Sequence, residues 1–201
     1  MNSESGRGQI MSGAGIIGIS DHGGWAVLVT ADRNGTLLDR RRVELVDKGL
    51  PKIPHHSEAQ SMPLEQAIEL IERVRASAER HSKIVLAEVA NALHGRILGI
   101  ALRQCPELPP TIAERIKNYR SQNVADWVMY RRALAAAGEA RSWPVHWYDP
   151  RQVHGIASKA FGGEDLNAHF DQIRRSVGPP WGQDHKLAMA AAIAAMHAGS
   201  T

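Results

Sequence analysis

Three carboxylates, far apart in the chain, stand where a divalent cation could be held. Asp21 closes a short apolar run, Gly15-Ile-Ile-Gly-Ile-Ser-Asp21, and Glu88 closes another, Ile84-Val-Leu-Ala-Glu88. Asp184 opens an Ala-rich stretch, with His185 beside it. Magnesium and manganese take hard oxygen ligands, and carboxylates arriving from two strand ends and a helix start would supply them. His185 could complete such a set or position a water. A second polar cluster, His55-His56-Ser57-Glu58, lies on a Pro/Gly/His-rich loop over residues 48–63. Its spacing matches no zinc motif of the His-Glu-x-x-His kind. It reads either as a surface loop or, if the topology carries it to the Asp21 edge, as a substrate contact or metal ligand. Cys105 is the single cysteine, so no intrachain disulfide is possible, and with no paired histidine nearby in sequence it reads as an inert thiol.

These residues need elements to position them. The 201 residues suffice for one domain with a proper core, and 43% apolar with 22% charged residues is ordinary globular composition. No apolar stretch approaches the roughly 18 residues that span a bilayer. Residues 1–13 are polar and Gly/Ser-rich without the apolar centre of a signal peptide, so a frayed tail and a cytoplasmic location are expected. The net charge is +3, with basic residues grouped as Arg40-Arg41-Arg42, Arg131-Arg132 and Arg174-Arg175. Such groups could contact phosphates, or they could be solvated faces of strands and helices.

The first elements read as a three-stranded antiparallel meander over residues 16–46, with reversals at Gly23-Gly24 and Asn34-Gly35. A helix is expected from Ser61 and Pro63 to about Arg80, with apolar residues at helical spacing, followed by a strand over Ile84–Ala87. Val89–Arg103 and Thr111–Gly138 read as helices, and Trp143–Asp149 as a strand. Short helices follow over Arg151–Ala160 and Leu166–Val177, then a closing helix over His185–Ala198. The expected whole is one α/β domain over residues 14–199, built on a mixed five-stranded sheet.

That order resembles the RNase H-like superfamily, and the C-terminal third resembles its Holliday-junction resolvase (RuvC-like) branch. The residues that carry the resemblance are Trp147-Tyr148-Asp149-Pro150, Gly155-Ile-Ala-Ser-Lys159, and Asp184-His185-Lys186-Leu187-Ala188 before the Ala run. The runs ending in Asp21 and Glu88 match its first and fourth strands. The resemblance implies a divalent-metal-dependent nuclease acting on DNA, conceivably branched, as a homodimer. Asp21, Glu88 and Asp184 would then hold Mg²⁺ or Mn²⁺, with His185 as a further catalytic group. His55, His56, Glu58, Lys159, Arg174 and Arg175 would be substrate contacts.

Two departures point the other way. Leu187 and Ala188 stand where active members carry a second acid one helical turn into the final helix. Ser20 precedes Asp21 where those members place the acid directly, and a one-residue slip in a strand turns a side chain to the opposite face. The alternative is therefore an RNase H-like scaffold that binds a partner without catalysis.

Overall fold

The computed structural model describes residues 13–93, 95–163 and 165–198. The expected tail falls almost wholly outside them. The chain opens with the meander β1 (Gly15–His22), β2 (Trp25–Ala31) and β3 (Leu37–Glu44). His22 pairs with Trp25 across the first reversal, where Gly24 takes φ 78°, a left-handed value that costs glycine little. A short 3₁₀ turn, Glu58–Ser61, precedes α1 (Leu64–Ala92). Then come β4 (Ile97–Arg103), α2 (Ile112–Lys117), α3 (Tyr119–Glu139), β5 (Val145–Tyr148), α4 (Val153–Ala160), α5 (Leu166–Val177) and α6 (Gln183–Ala198). The sheet order is β3-β2-β1-β4-β5, with β4 parallel to β1 and β5 parallel to β4. This is the expected mixed five-stranded sheet. Among the described residues no helix is long and apolar enough to cross a membrane.

Two elements differ from the sequence reading. Ile84–Ala87 is not a strand but a continuation of α1. The buried positions Ala67, Ile71, Val74, Ala78, Val85 and Val89 keep the three-to-four spacing of a single helix face, so the apolar run simply extends that face. Ile84 points outward at 53% exposure, which a buried strand would not allow. The fourth strand lies instead in the segment read as a helix, Ile97-Leu-Gly-Ile-Ala-Leu-Arg103. Flanked by β1 and β5 and covered on both faces, it is apolar up to its final Arg103, and a doubly buried parallel strand has no alternation to betray it. The helix start also moves: α1 begins after Pro63, and Ser61 ends the 3₁₀ turn without capping it.

Helices cover both faces of the sheet, and the alternation of β1 assigns each side chain to one of them. Ile17 and Ile19 join Leu28, Ile100 and Leu102 in the core beneath α1 and α3. Ile16 joins Val27, Val29 and Ala101 in the core beneath α4, α5 and α6. Gly18 lies on the α6 side, where a Cβ would sit 1.8 Å from the Ala188 carbonyl oxygen. The Ala-rich run of α6 and this glycine together let helix and strand backbones approach closely. By the same alternation Ser20 and His22 project toward α6, and Asp21 projects toward α3.

Candidate functional site

The C-terminal ends of β1, β4 and β5 lie side by side, with α6 beginning over them, so this edge of the sheet is where side chains from distant segments meet. On the α6 side, Asp184 sits in the first turn of its helix, which favours an anion. Its Oδ1 accepts a hydrogen bond from Ser20 Oγ at 2.9 Å and lies 2.8 Å from His22 Nε2. Burial works to raise the Asp184 carboxyl, but the bonds from His22 and Ser20 outweigh it, and the group lies below its usual range. The His22 ring stacks on Trp25 at 3.9 Å between centroids, and the Arg42 guanidinium lies 4.3 Å over the same indole. His185 is buried beneath Trp181, and its Nδ1 accepts from the Gly182 N–H at 3.3 Å. Burial, assisted by Arg40, lowers the pKa of its ring. His185 therefore finishes the start of α6 and does not face Asp21.

On the α3 side, Asp21 is 2% exposed and Arg131 6%. Arg131 Nε donates to Asp21 Oδ2 at 2.7 Å, and its Nη1 donates to the Gln104 carbonyl at 3.2 Å. Asp21 Oδ1 is buried with no hydrogen-bond partner among the described residues. Burial raises the Asp21 carboxyl above the ordinary carboxylate range, while Arg131 and Arg103 pull it back. Arg103 ends β4 beside β1. The strand neighbouring β1 thus brings a guanidinium, then Gln104, to the place where a carboxylate was expected. The sequence reading grouped Arg131 with Arg132 as surface charge, yet Arg131 is buried in an ion pair and Arg132 is exposed.

Glu88 belongs to neither cluster. The N–H of Asp47, just beyond β3 at the Asp21 edge, donates to Ser77 of α1. Glu88 lies eleven residues further along that helix, roughly 16 Å at about 1.5 Å per residue. It is exposed near the end of α1, from which the chain enters β4 opposite Gly15 at the other end of β1. Asp21 is roughly 20 Å along that strand from Gly15, at about 3.3 Å per residue. Carboxylates that share a pair of ions must flank metals about 4 Å apart, so Asp21 and Glu88 cannot do so.

The remaining candidates scatter. His56 and Glu58 are exposed, whereas His55 is buried against α3, with Nδ1 2.7 Å from Asp126 Oδ1. Lys159 is exposed in the last turn of α4, and Arg174 and Arg175 are exposed in the last turn of α5. Arg40 is committed to the carbonyls of Val177, Gly178 and Pro180, and Arg41 is paired with Asp39. Sequence reasoning missed the partners Asp126, Arg131 and Ser20. The available signal was a charge on a helix face that is otherwise apolar, as in Val124-Ala125-Asp126-Trp127-Val128.

The structure does not bring the expected metal set of Asp21, Glu88 and Asp184 together as one cluster. Asp21 and Asp184 lie on opposite faces of the sheet, Glu88 is exposed near the end of α1, and Asp21 already has a guanidinium as its counter-ion. Among the described residues no group of three or more His, Cys, Asp or Glu side chains could hold an ion. The described residues do not fit a two-metal centre.

No family model matches the chain, and no curated protein matches it. It is similar in structure to RuvC of Thermus thermophilus in complex with a Holliday junction substrate, with a TM-score of 0.52 at 15% identity, covering 93% of this chain and 96% of that one. A second Thermus thermophilus RuvC structure gives 0.47 at 15% identity, covering 92% of this chain and 96% of that one. The first likeness extends over nearly the whole chain, and the fold is the RNase H-like fold of RuvC, as the motif order implied.

Proposed function

We propose that this protein binds nucleic acid on an RNase H-like scaffold and does not hydrolyse it through a two-metal centre. The observation that carries the reading is the buried Asp21–Arg131 pair, with Arg103 close by, at the sheet edge where the fold would collect carboxylates. A guanidinium there neutralises the acid permanently and repels a divalent cation. Asp184, on the α6 side of this edge, accepts from Ser20 and His22. Binding of nucleic acid is supported by the likeness in fold to a protein whose structure is described as a complex with a Holliday junction substrate, and by a basic balance of +3. Lys159, Arg174 and Arg175, exposed on the outer helices, are the proposed phosphate contacts.

A labelled four-way junction and a linear duplex, incubated with the protein in Mg²⁺ and in Mn²⁺, test both halves. Retardation in a native gel should weaken steeply with salt, while a denaturing gel shows intact strands. Metal-dependent cleavage that is lost in Asp184→Asn would overturn the non-catalytic reading. Failure to bind either nucleic acid at low salt would overturn the binding reading.

A further inference from the structure

On the face of the sheet away from α6, helices α1, α2 and α3 and the loop after β3 enclose a cavity of about 290 Å³. That lies near the lower end of the sizes that hold small molecules. Aliphatic side chains such as Ile71 and Val128 form much of its wall, and the polar side chains that line it are His55, Arg75, Glu79, Arg115 and Arg132. None of these polar groups takes part in the edge described above.

His55 is 1% exposed and held by its neighbour. The Asp126 carboxylate accepts the backbone N–H groups of His55 at 3.1 Å and His56 at 3.2 Å, and lies 2.7 Å from His55 Nδ1. A carboxylate only accepts, so Nδ1 carries a proton, and in the neutral ring Nε2 is left as an acceptor. Nε2 is buried and has no hydrogen-bond partner among the described residues. Buried polar atoms are nearly always paired, so an orphan atom on a ring that borders a cavity points to a partner supplied from outside the chain.

The charges around the cavity do not balance. Arg75 is paired with Glu72 and Glu79. Arg115 donates to the carbonyls of Pro109 and Pro110 at 2.7 and 2.9 Å, which fixes its guanidinium without neutralising it. Arg132 is exposed and makes no ion pair among the described residues. Burial, with the Arg132 and Arg75 cations nearby, lowers the Arg115 pKa against the opposing pull of Glu114 and Glu72.

We propose that this cavity binds a small organic anion, a carboxylate or a phosphate monoester on an apolar body. Its charged head meets Arg115 and Arg132, and a hydroxyl or N–H at its inner end donates to His55 Nε2. Guanidinium groups suit either head, because both present oxygens that match a planar fork of donors. The apolar wall excludes a bare inorganic ion as the best occupant.

Titration calorimetry of the full chain with 4-hydroxybenzoate and 4-hydroxyphenyl phosphate distinguishes the two heads, with benzoate, phenyl phosphate, phenol and inorganic phosphate as probes lacking one feature each. At least one hydroxylated anion should bind about ten-fold more tightly than its counterpart without the hydroxyl, and than phenol or inorganic phosphate. The double variant R115A/R132A should lose at least about ten-fold in affinity, whereas R151A, exposed just before α4 on the other side of the sheet, should not change it. Replacing His55 would strand Asp126, so the ring is read in the wild-type chain: its Nε2 resonance in a ¹⁵N-histidine spectrum should move when the anion binds. Any one of three results overturns the proposal. These are no binding below about 10 mM by either hydroxylated anion, undiminished binding by R115A/R132A, or an unmoved His55 resonance in the saturated protein.

Discussion

Replacing Arg131 with methionine removes the counter-ion of Asp21 while keeping much of the side-chain volume. Both groups are nearly inaccessible, at 2% and 6% exposure, and Asp21 Oδ1 has no partner to fall back on. Removing one member of a buried pair leaves an uncompensated charge and costs about 3–5 kcal/mol. For a chain of this size each kcal/mol shifts the melting temperature by about 2–4 °C, so Arg131→Met should melt roughly 6–20 °C lower near neutral pH. The cost should also depend on pH in a definite direction. Burial already raises the folded-state pKa of Asp21 above its unfolded value, and loss of Arg131 removes the main influence pulling it down. Between the unfolded and folded pKa values the folded state then binds more protons than the unfolded one, so stability falls as pH rises through that window. Each pH unit of the window adds about 1.4 kcal/mol.

Urea denaturation at about pH 5 and about pH 8 measures this directly, and the destabilisation should be larger at the higher pH. The double variant Asp21→Leu/Arg131→Met should recover to within about 1 kcal/mol of the parent, because an apolar pair of similar volume often matches a buried ion pair. A single-variant cost below about 1 kcal/mol, or a cost equal at the two pH values, would refute the assignment of Arg131 as the counter-ion of Asp21.

Two further outcomes follow from the α6 side of the same strand. In a carboxyl ¹³C titration Asp184 should lose its charge below the usual 3.8 and return toward it in His22→Ala, because the bonds to His22 and Ser20 are what overcome its burial; a wild-type titration at or above 3.8 would contradict that geometry. Because the folded value is depressed, the stability this group contributes is complete above its unfolded pKa and is lost as pH falls through the folded one. Gly18→Ala would place a Cβ 1.8 Å from the Ala188 carbonyl oxygen, and since backbone cannot yield as a side chain can, the cost should reach or exceed about 3 kcal/mol; calorimetry showing an unchanged melting temperature would exclude the close approach of α6 to β1.

The amino-acid order by itself determined most of the frame. The meander, the separate helices after β5 and the closing Ala-rich helix were legible because their signals are local: glycines at reversals, short apolar runs between them, and helical spacing on amphipathic faces. Its failures lay in the middle of the chain. Ile84-Val-Leu-Ala87 and Ile97-Leu-Gly-Ile-Ala101 are both short apolar runs, and nothing local distinguishes a helix turn pressed on a sheet from a strand buried on both faces. The exchange of those two assignments put Glu88 at a strand end, whereas it lies exposed near the end of α1.

Tertiary structure alone decided which charges meet. The alternation of β1 sends Ser20 and Asp21 to opposite faces, so neighbours in sequence serve two unrelated clusters, one under α6 and one under α3. Asp21 with Arg131, Ser20 with Asp184 and His55 with Asp126 are separated by 110, 164 and 71 positions. No spacing rule links residues that far apart. What joins them is the cost of burying a charge unpaired, which only the folded chain can satisfy.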